Sequence, residues 1–500
     1  MIGNVLQYLD DAAVAWPERV AFVDDQGEMG FAALRGAVRS VGTALAGIVA
    51  PRSSVAVLMN DRSTTVVVGM LGVVAAGCAY APLDATMPAE RLEVILDLLQ
   101  PAAVLCDSTT RQAVECVTLS CPLVQYEEAV ATPAVDAILD GIRAQSSPDD
   151  VLSVLFTSGS TGVPKGVAQP QSSYINYVET NTERFGFTID DVYANQSPFF
   201  YANSITDLYP PIKFGATVYI MPGRCLSFPR LLVDTLRERR VTVLCMTPSS
   251  YVKAAQSGVM EAGCLPALKY IVLSGEAAHW QTLEVWLRAA PNAAVWNFYG
   301  STEMMGVAVK RLERTYADDE LIPVGALYKG VEVLLVDEDG EEVPQGERGE
   351  MYIASPWLFC GYFRDEELTG AAFVTDPLER GNGVRYYRTG DIGSFSPTGE
   401  LLVHGRKDSQ IKRAGYRMEL GEVEAALRVI PGWENGLVLY DKESMKLACF
   451  WTGPLTKKEI MAELKKTLPR YAQPDTYIHL DEMPYTATMK IDRVTLRKMI

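Results

Sequence analysis

The sequence predicts an α/β protein. A large N-terminal domain of parallel-rich sheets with a small β-barrel-like part precedes a small, mobile α+β C-terminal domain. Three observations predict it. Short β-branched runs alternate with amphipathic stretches through residue 300. Residues 320–403 change to period-two alternation. A polar, basic crossing at 404–418 then sets off a last stretch of about 90 residues.

The strand runs are VAVLMN (55–60), AAVLC (102–106), SVLFT (153–157), ATVYIMP (216–222), VTVLCMTP (241–248), YIVLSG (270–275) and AAVWNFYG (293–300). Amphipathic stretches such as RLEVILDLLQ (91–100) lie between them, which means βαβ units and a mostly parallel sheet. Each run ends in a turn-rich loop, where open α/β sheets bind ligands. VEVLLVDEDGEEVPQGERGEMYIAS alternates with period two and turns at DEDG, so it reads as antiparallel hairpins. After HGRKDSQIKRAGYRM (404–418), GEVEAALRVIPG reads as a helix with a glycine stop. Two domains, 1–407 and 408–500, are expected. The second is too small for a catalytic core and well sized for a mobile cap.

Composition narrows the class. Of 500 residues, 48% are hydrophobic and 21% charged, a globular balance. A net charge of −17 argues against a nucleic-acid or anionic-membrane surface. No signal peptide opens the chain, and the apolar run Val55–Val74 is broken by Asn60, Asp61 and Arg62. Nine cysteines are scattered without a CxxC pair, which fits a reducing cytoplasm. His279, His404 and His479 are too few and too far apart for a zinc site or a Ser-His-Asp hydrolase.

FTSGSTGVPKG (156–166) carries the first chemistry. It lacks the lysine-hydroxyl ending of the NTPase P-loop, because Val163 and Pro164 separate Gly162 from Lys165. Its composition still suits a phosphate. Gly159 and Gly162 let backbone N–H groups turn to an anion; Thr157, Ser158, Ser160 and Thr161 offer hydroxyls; Lys165 offers charge.

The stretch LFTSGSTGVPKGV closely resembles the signature loop of the adenylate-forming enzymes, which include acyl-CoA synthetases, luciferases and the adenylation domains of nonribosomal peptide synthetases. Further stretches resemble that family's motifs in order: GCAYAPLD (77–84), NFYGSTE (297–303), YRTGD (387–391), GRKDSQIKRAGYRMELGEVE (405–424) and MKIDR (489–493). The resemblance covers essentially the whole chain. It implies ATP and Mg2+ as cofactors and a reaction in two steps: carboxylate plus ATP gives acyl-AMP and pyrophosphate, and a thiol then captures the acyl group. It also implies residue roles. Thr157, Ser158, Gly159, Ser160, Thr161 and Lys165 would hold the leaving phosphates. Thr302 would bond the α-phosphate and Glu303 would ligate magnesium. Asp391 would accept both ribose hydroxyls, with Arg406 on ribose or phosphate. Gly275, Glu276, Ala277, Asn297 and Tyr299 would surround the adenine, Tyr299 by stacking. Lys490 would bridge the carboxylate and the α-phosphate, although Thr488 and Met489 replace the usual Asn-Gly before it. Asp408 would be the hinge about which the small domain swings, presenting Lys490 for the first step and the Ala414–Gly415 loop for the second.

The acid is less legible. Amino-acid-activating members carry an aspartate for the substrate ammonium in the segment that is SPFFYANSITDLYPPIKFGA (197–216) here. Anchoring on DLYP, shared with D-alanine-carrier protein ligases, puts Ala202 at that position and makes Asp207 structural. The other expected pocket residues are Asn203, Thr206, Cys245 or Met246, Val272, Ser274, Phe298, Gly306 and Val307. None is acidic, and a buried ammonium without a carboxylate costs several kcal/mol. Phe298 is expected to floor the pocket and Gly306 to open a wall, for a small or flat acid. Nothing follows Ile500, so a stand-alone adenylation enzyme with a carrier protein acting in trans is expected. Lys407, Lys412, Arg413 and Arg417 form a basic cluster that either a carrier or coenzyme A would meet. The alternatives are an acyl- or aryl-CoA synthetase and a non-catalytic nucleotide-binding regulator.

Overall fold

The structure is a computed structural model that describes all residues except 1, 160–162, 318–319, 379, 382, 408–409, 414, 442–443 and 485–490. Lys490, Asp408, Ser160 and Thr161 therefore lie outside the described residues.

Two large sheets form the N-terminal part. In the first, Leu123–Gln125, Ala103–Cys106, Ser54–Leu58, Ala79–Pro82 and Val151–Thr157 run parallel. Lys165–Pro170 returns antiparallel beside Val151–Thr157, with Thr157 opposite Lys165. The phosphate-type loop thus connects two paired antiparallel strands. In the second, Val20–Asp24, Thr217–Ile220, Val192–Asn195, Val243–Met246, Tyr270–Ser274 and Ala294–Tyr299 are parallel. The expected strand runs all lie in these two sheets. The apolar run Val55–Val74 splits between strand Ser54–Leu58 and helix Thr64–Ala75, which is buried at every position except Thr65. Gly72 makes that possible, because a Cβ there would lie 2.5 Å from Val41 Cγ1 on helix Phe31–Ala46. No described helix is long and apolar enough to cross a membrane.

The period-two region forms five antiparallel strands, Glu332–Val336, Gly349–Ala354, Arg385–Phe395, Phe373–Thr375 and Leu401–Arg406. The expected barrel-like part is corrected to an open sheet. Among the described residues no pairing joins its outer strands. Its inner face packs instead on Val167, Met304, Val307 and Ala308.

The C-terminal part has its own core. Two clusters, around Val423, Cys449 and Ile460 and around Leu439, Phe450 and Leu496, contain only residues from 411 onward. Its first hairpin, Gln410–Arg413 with Tyr416–Glu419, reaches back to the large part. Glu422 pairs there with buried Arg91 of helix Ala89–Leu99. Tyr416 stacks on Tyr471 at 4.1 Å and meets Tyr201 edge-on at 4.8 Å.

Candidate active site

Strand geometry assembles the site. Val151–Thr157, Tyr270–Ser274 and Ala294–Tyr299 all end at one rim, so Thr157–Ser158, Gly275–Ala277 and Gly300–Glu303 meet there. The hairpin Gln410–Arg413 with Tyr416–Glu419 packs against them through Gly415 and Arg417.

Glu303 is the electrostatic centre and is wholly buried. Its Oε2 accepts from Arg417 Nη1 at 2.6 Å and from Ser301 Oγ at 2.9 Å. Its Oε1 accepts from the Tyr362 hydroxyl at 3.2 Å and lies 3.7 Å from Lys165 Nζ. Burial alone would raise this carboxyl; Arg417 and Lys165 outweigh it and hold it well below the ordinary carboxylate range. Burial lowers Lys165 despite the neighbouring Glu303. The Lys165 ammonium donates to the Tyr362 hydroxyl at 3.0 Å and stands over that ring at 4.5 Å. On the strand opposite, Thr157 Oγ1 is buried at the cavity wall with no hydrogen-bond partner among the described residues. Ser158 Oγ donates to the Arg417 carbonyl at 3.1 Å. Thr302 is fixed through its carbonyl, which accepts from Gln169 Nε2 at 2.6 Å.

Gly275, Glu276, Ala277, Asn297, Tyr299, Asp391 and Arg406, expected around the nucleoside, all line one cavity. Asp391 faces Arg406 across the strand pair, and Arg406 Nη1 reaches its Oδ1 at 2.6 Å. The Tyr299 hydroxyl donates to the other oxygen, Oδ2. Glu276 accepts from Ser249 N at 2.9 Å and from Gly415 N, between the hairpin strands, at 3.1 Å. Lys412, whose ammonium is pushed below its usual range by burial, enters the same space.

The second cavity adjoins the first at Gly275, Phe298 and Lys412. Ala202, Asn203, Thr206, Ser274 and Phe298 line it, together with Tyr177 and Met305. Ser274 Oγ donates to Asn203 Oδ1 at 3.2 Å, and the Tyr177 and Thr206 hydroxyls are 2.8 Å apart. The other expected pocket residues sit behind this surface. Cys245 and Val272 are core beneath it, with Cys245 on the Phe298 side and Met246 on the opposite face of the sheet. Val307 packs on the five-stranded sheet. Gly306 does not open a wall: a Cβ there would lie 3.0 Å from the Phe298 ring and 3.2 Å from Tyr328, so those rings already fill the space. Asp207 lies in the core with one oxygen on Asn195 Nδ2 at 3.2 Å, and burial lifts its carboxyl well above the usual range. No carboxylate is among the described residues lining this cavity.

The expected basic cluster is corrected as well. Lys407 pairs with Glu350, Arg413 with Asp475, Arg417 with Glu303, and Lys412 turns into the cavity that Asp391 lines. Alternating strand faces send Arg413 away from Lys412, whereas Lys412 and Arg417 are cross-strand partners that line one cavity. Sequence reasoning missed Tyr362 and Gln169, which carry no local signal. It read Arg417 as a surface cation although it lies inside the GYRME motif.

Gly415 has φ +87°, and a Cβ there would meet Thr247 Cγ2 at 3.1 Å. If this loop serves the thiol step that the resemblance implies, Gly415→Val is expected to slow acyl transfer to a thiol by about 100-fold, and pyrophosphate exchange by a much smaller factor. Single-turnover transfer from preformed acyl-AMP measures the first, radiolabel exchange the second.

Residues 9–363 match the family described as AMP-binding enzyme, well over half of the chain. The chain belongs to that family. This AMP-binding enzyme is 30% identical to the D-alanine--D-alanyl carrier protein ligase of Lactiplantibacillus plantarum, over 100% of this chain and 99% of that one. It is 31% identical to the dimodular nonribosomal peptide synthase of Bacillus subtilis, over 98% of this chain but 21% of that one. It spans only 8% of the length of bacitracin synthase 1 of Bacillus licheniformis. Among solved structures, the AlmE adenylation domain of Vibrio cholerae, in complex with glycyl-adenosine-5'-phosphate, shares its fold. The TM-score is 0.84 at 21% identity, over 100% of this chain and 98% of that one. IdnL1 superposes with a TM-score of 0.82 at 25% identity, over 97% and 99%.

Proposed function

We propose that this AMP-binding enzyme converts a small carboxylic acid and ATP to acyl-AMP and pyrophosphate, then passes the acyl group to the phosphopantetheine thiol of a separate carrier protein. The observation that carries this reading is the junction of two cavities at Gly275, Phe298 and Lys412, one of them lined by Thr157, Ser158 and Thr302. An acid in one and a nucleoside in the other place a carboxylate next to an α-phosphorus.

In the first step a carboxylate oxygen attacks the α-phosphorus and the bond to the bridging oxygen of pyrophosphate breaks. Lys165 and the Thr157 and Ser158 hydroxyls meet the charge that builds on the leaving group. The unpartnered Thr157 Oγ1 fits an anion there. Asp391 orients the ribose by accepting its hydroxyls, a role for which Tyr299 and Arg406 hold it. Among the described residues no group of three metal-ligating side chains occurs. Mg2+ commonly rests on one or two carboxylates plus phosphate oxygens, and buried Glu303 fits that pattern. The ion would supply charge neutralisation to the phosphates. In the second step the thiol sulfur attacks the acyl carbon and AMP leaves. Lys490 is assigned to the first step and the Gly415 loop to the second, with the small domain turning about Asp408 between them.

The relative from Lactiplantibacillus plantarum, matched end to end, supports a carrier acceptor. Lys407 and Arg413 are paired with Glu350 and Asp475, and Lys412 and Arg417 turn into the site, so the four do not form one surface patch for the phosphates of coenzyme A. Ala202 at the pocket surface, with no carboxylate beside it among the described lining residues, supports an acid without an α-ammonium or one whose nitrogen is held by Asn203, Ser274 and carbonyls.

ATP–pyrophosphate exchange over amino, β-amino, hydroxy and aryl acids tests the reading. Exchange with at least one acid is expected, and none with any acid would sink it. Ala202→Asp is expected to weaken exchange with the preferred acid at least about ten-fold and to bring in an α-amino acid. Unchanged preference would show that Ala202 does not face the α-substituent.

A further inference from the structure

Arg417 does two things at once. Its guanidinium occupies the Glu303 carboxylate at 2.6 Å, and its carbonyl takes the Ser158 hydroxyl of the phosphate-type loop at 3.1 Å. Both groups belong to the machinery assigned above to the metal and the pyrophosphate. The residue is carried by the lid hairpin and is itself buried, with a side chain 10% exposed. If the C-terminal part swings as the functional reading has it, Arg417 enters and leaves this place with the hairpin.

We propose that Arg417 is a positioning residue that replaces the metal ion at Glu303, so that metal-bound pyrophosphate and this lid orientation exclude one another. The inference rests on the functional reading above, specifically on Glu303 as the metal carboxylate.

The physical case is one of charge balance. A buried carboxylate is tolerable only with a counter-cation close by. Lys165 stands 3.7 Å from Oε1, whereas Oε2 depends on Arg417 and a neutral hydroxyl from Ser301. A divalent cation on Glu303 would stand close to both Arg417 and Lys165, and like charges in a low-dielectric site repel strongly. The guanidinium would have to leave, and with it the hairpin. When metal and pyrophosphate depart, Glu303 is left buried with one distant cation, and the arrival of Arg417 restores the balance. The same arrival carries the Gly415 backbone onto Glu276 at 3.1 Å. Product release and the lid position used for the thiol step are then one exchange of cations. Arg417 also keeps one donor over: Nε is buried, with no partner among the described residues, and the residue lines the cavity. That donor is available to an anion remaining in the site after pyrophosphate has gone.

The test is a binding titration on the full chain, with Mn2+ as the paramagnetic probe and inorganic pyrophosphate as its ligand. Electron paramagnetic resonance reads free Mn2+ directly. In the native protein Arg417 competes with the metal. Arg417→Met keeps length and removes charge, and it is expected to bind Mn2+–pyrophosphate at least about ten-fold more tightly. Acyl transfer from preformed acyl-AMP should fall in the same variant, and added metal should restore part of it, because a cation again neutralises Glu303. Equal Mn2+–pyrophosphate affinity in the two proteins would overturn the proposal. If Arg417→Met does not fold, Arg417→Lys keeps the charge on a different head group. Its affinity should stay near the native value, and tightening to the level expected of the neutral variant would count against the idea. Absence of pyrophosphate exchange with every acid would sink the functional reading. Exchange combined with unchanged Mn2+ affinity in Arg417→Met would sink this inference alone.

Discussion

Glu303→Gln is expected to lower pyrophosphate exchange by about 100- to 1,000-fold, the scale seen when one preorganised group at a developing charge is removed. It is also expected to destabilise the fold by about 3–5 kcal/mol, because breaking a buried ion pair strands its partners. Both effects share one origin. The carboxylate balances Arg417 and Lys165 inside the protein and accepts from Ser301 and Tyr362. A neutral amide keeps the shape, loses the charge and turns an N–H2 group toward one of those donors. The pH dependence has a definite sign. The folded-state carboxyl is held well below the ordinary range, with burial opposing and Arg417 and Lys165 prevailing. Its stabilisation is therefore fully present above the unfolded-state value of about 4.3 and is lost as pH falls through the lower folded-state value. The stability gap between native protein and Glu303→Gln should stay level from about pH 6 to 8 and close in acid. Denaturant melts at several pH values measure it. A gap that widened in acid would show that the carboxyl is not held ionised.

Lys490→Ala is expected to reduce acyl-AMP formation by about 1,000-fold while changing ATP affinity by less than about three-fold. Two anions, the acid and the α-phosphate, must approach one another in the proposed step, and a cation placed between them acts mainly in the transition state. The segment 485–490 lies outside the described residues. The chain beyond it is anchored: Asp492 N donates to Pro484 O at 2.8 Å, and Leu496 lies in a core cluster with Leu437, Leu439 and Phe450. Among the described residues of the C-terminal part, Arg417 and Gly415 face the site. Rapid-quench measurement of acyl-AMP, with calorimetric titration of ATP, separates the two quantities. Retained acyl-AMP formation would remove Lys490 from the mechanism, and lost ATP binding would make it a binding residue.

The parts legible in the sequence are those set by local pattern. Short β-branched runs between amphipathic stretches marked the strands of both large sheets, because a strand buried on two faces must be apolar throughout. The spacing of hydroxyls, glycines and Lys165 marked an anion loop, because that composition turns several donors one way. The residues expected around the nucleoside, from Gly275 to Arg406, lie along one cavity because the ends of Tyr270–Ser274 and Ala294–Tyr299 meet the paired Asp391 and Arg406 there. The expected acid pocket was less legible. Phe298 and Gly306 are close in sequence, but the Phe298 and Tyr328 rings take up the space that the glycine leaves.

By itself the sequence determined the α/β class, the order of the motifs and a minority of the residues that line the two cavities, Thr157, Ala202, Asn297 and Asp391 among them. Tertiary structure alone decided that the five-stranded sheet stays open, that Lys407 and Arg413 are paired away from the site while Lys412 and Arg417 turn into it, and that Glu303 is balanced by Lys165, Tyr362 and Arg417. Those three come from segments far apart in the chain. Periodicity reports which way a side chain points from its own strand, whereas the side chain that meets it is set by how sheets and lid pack together.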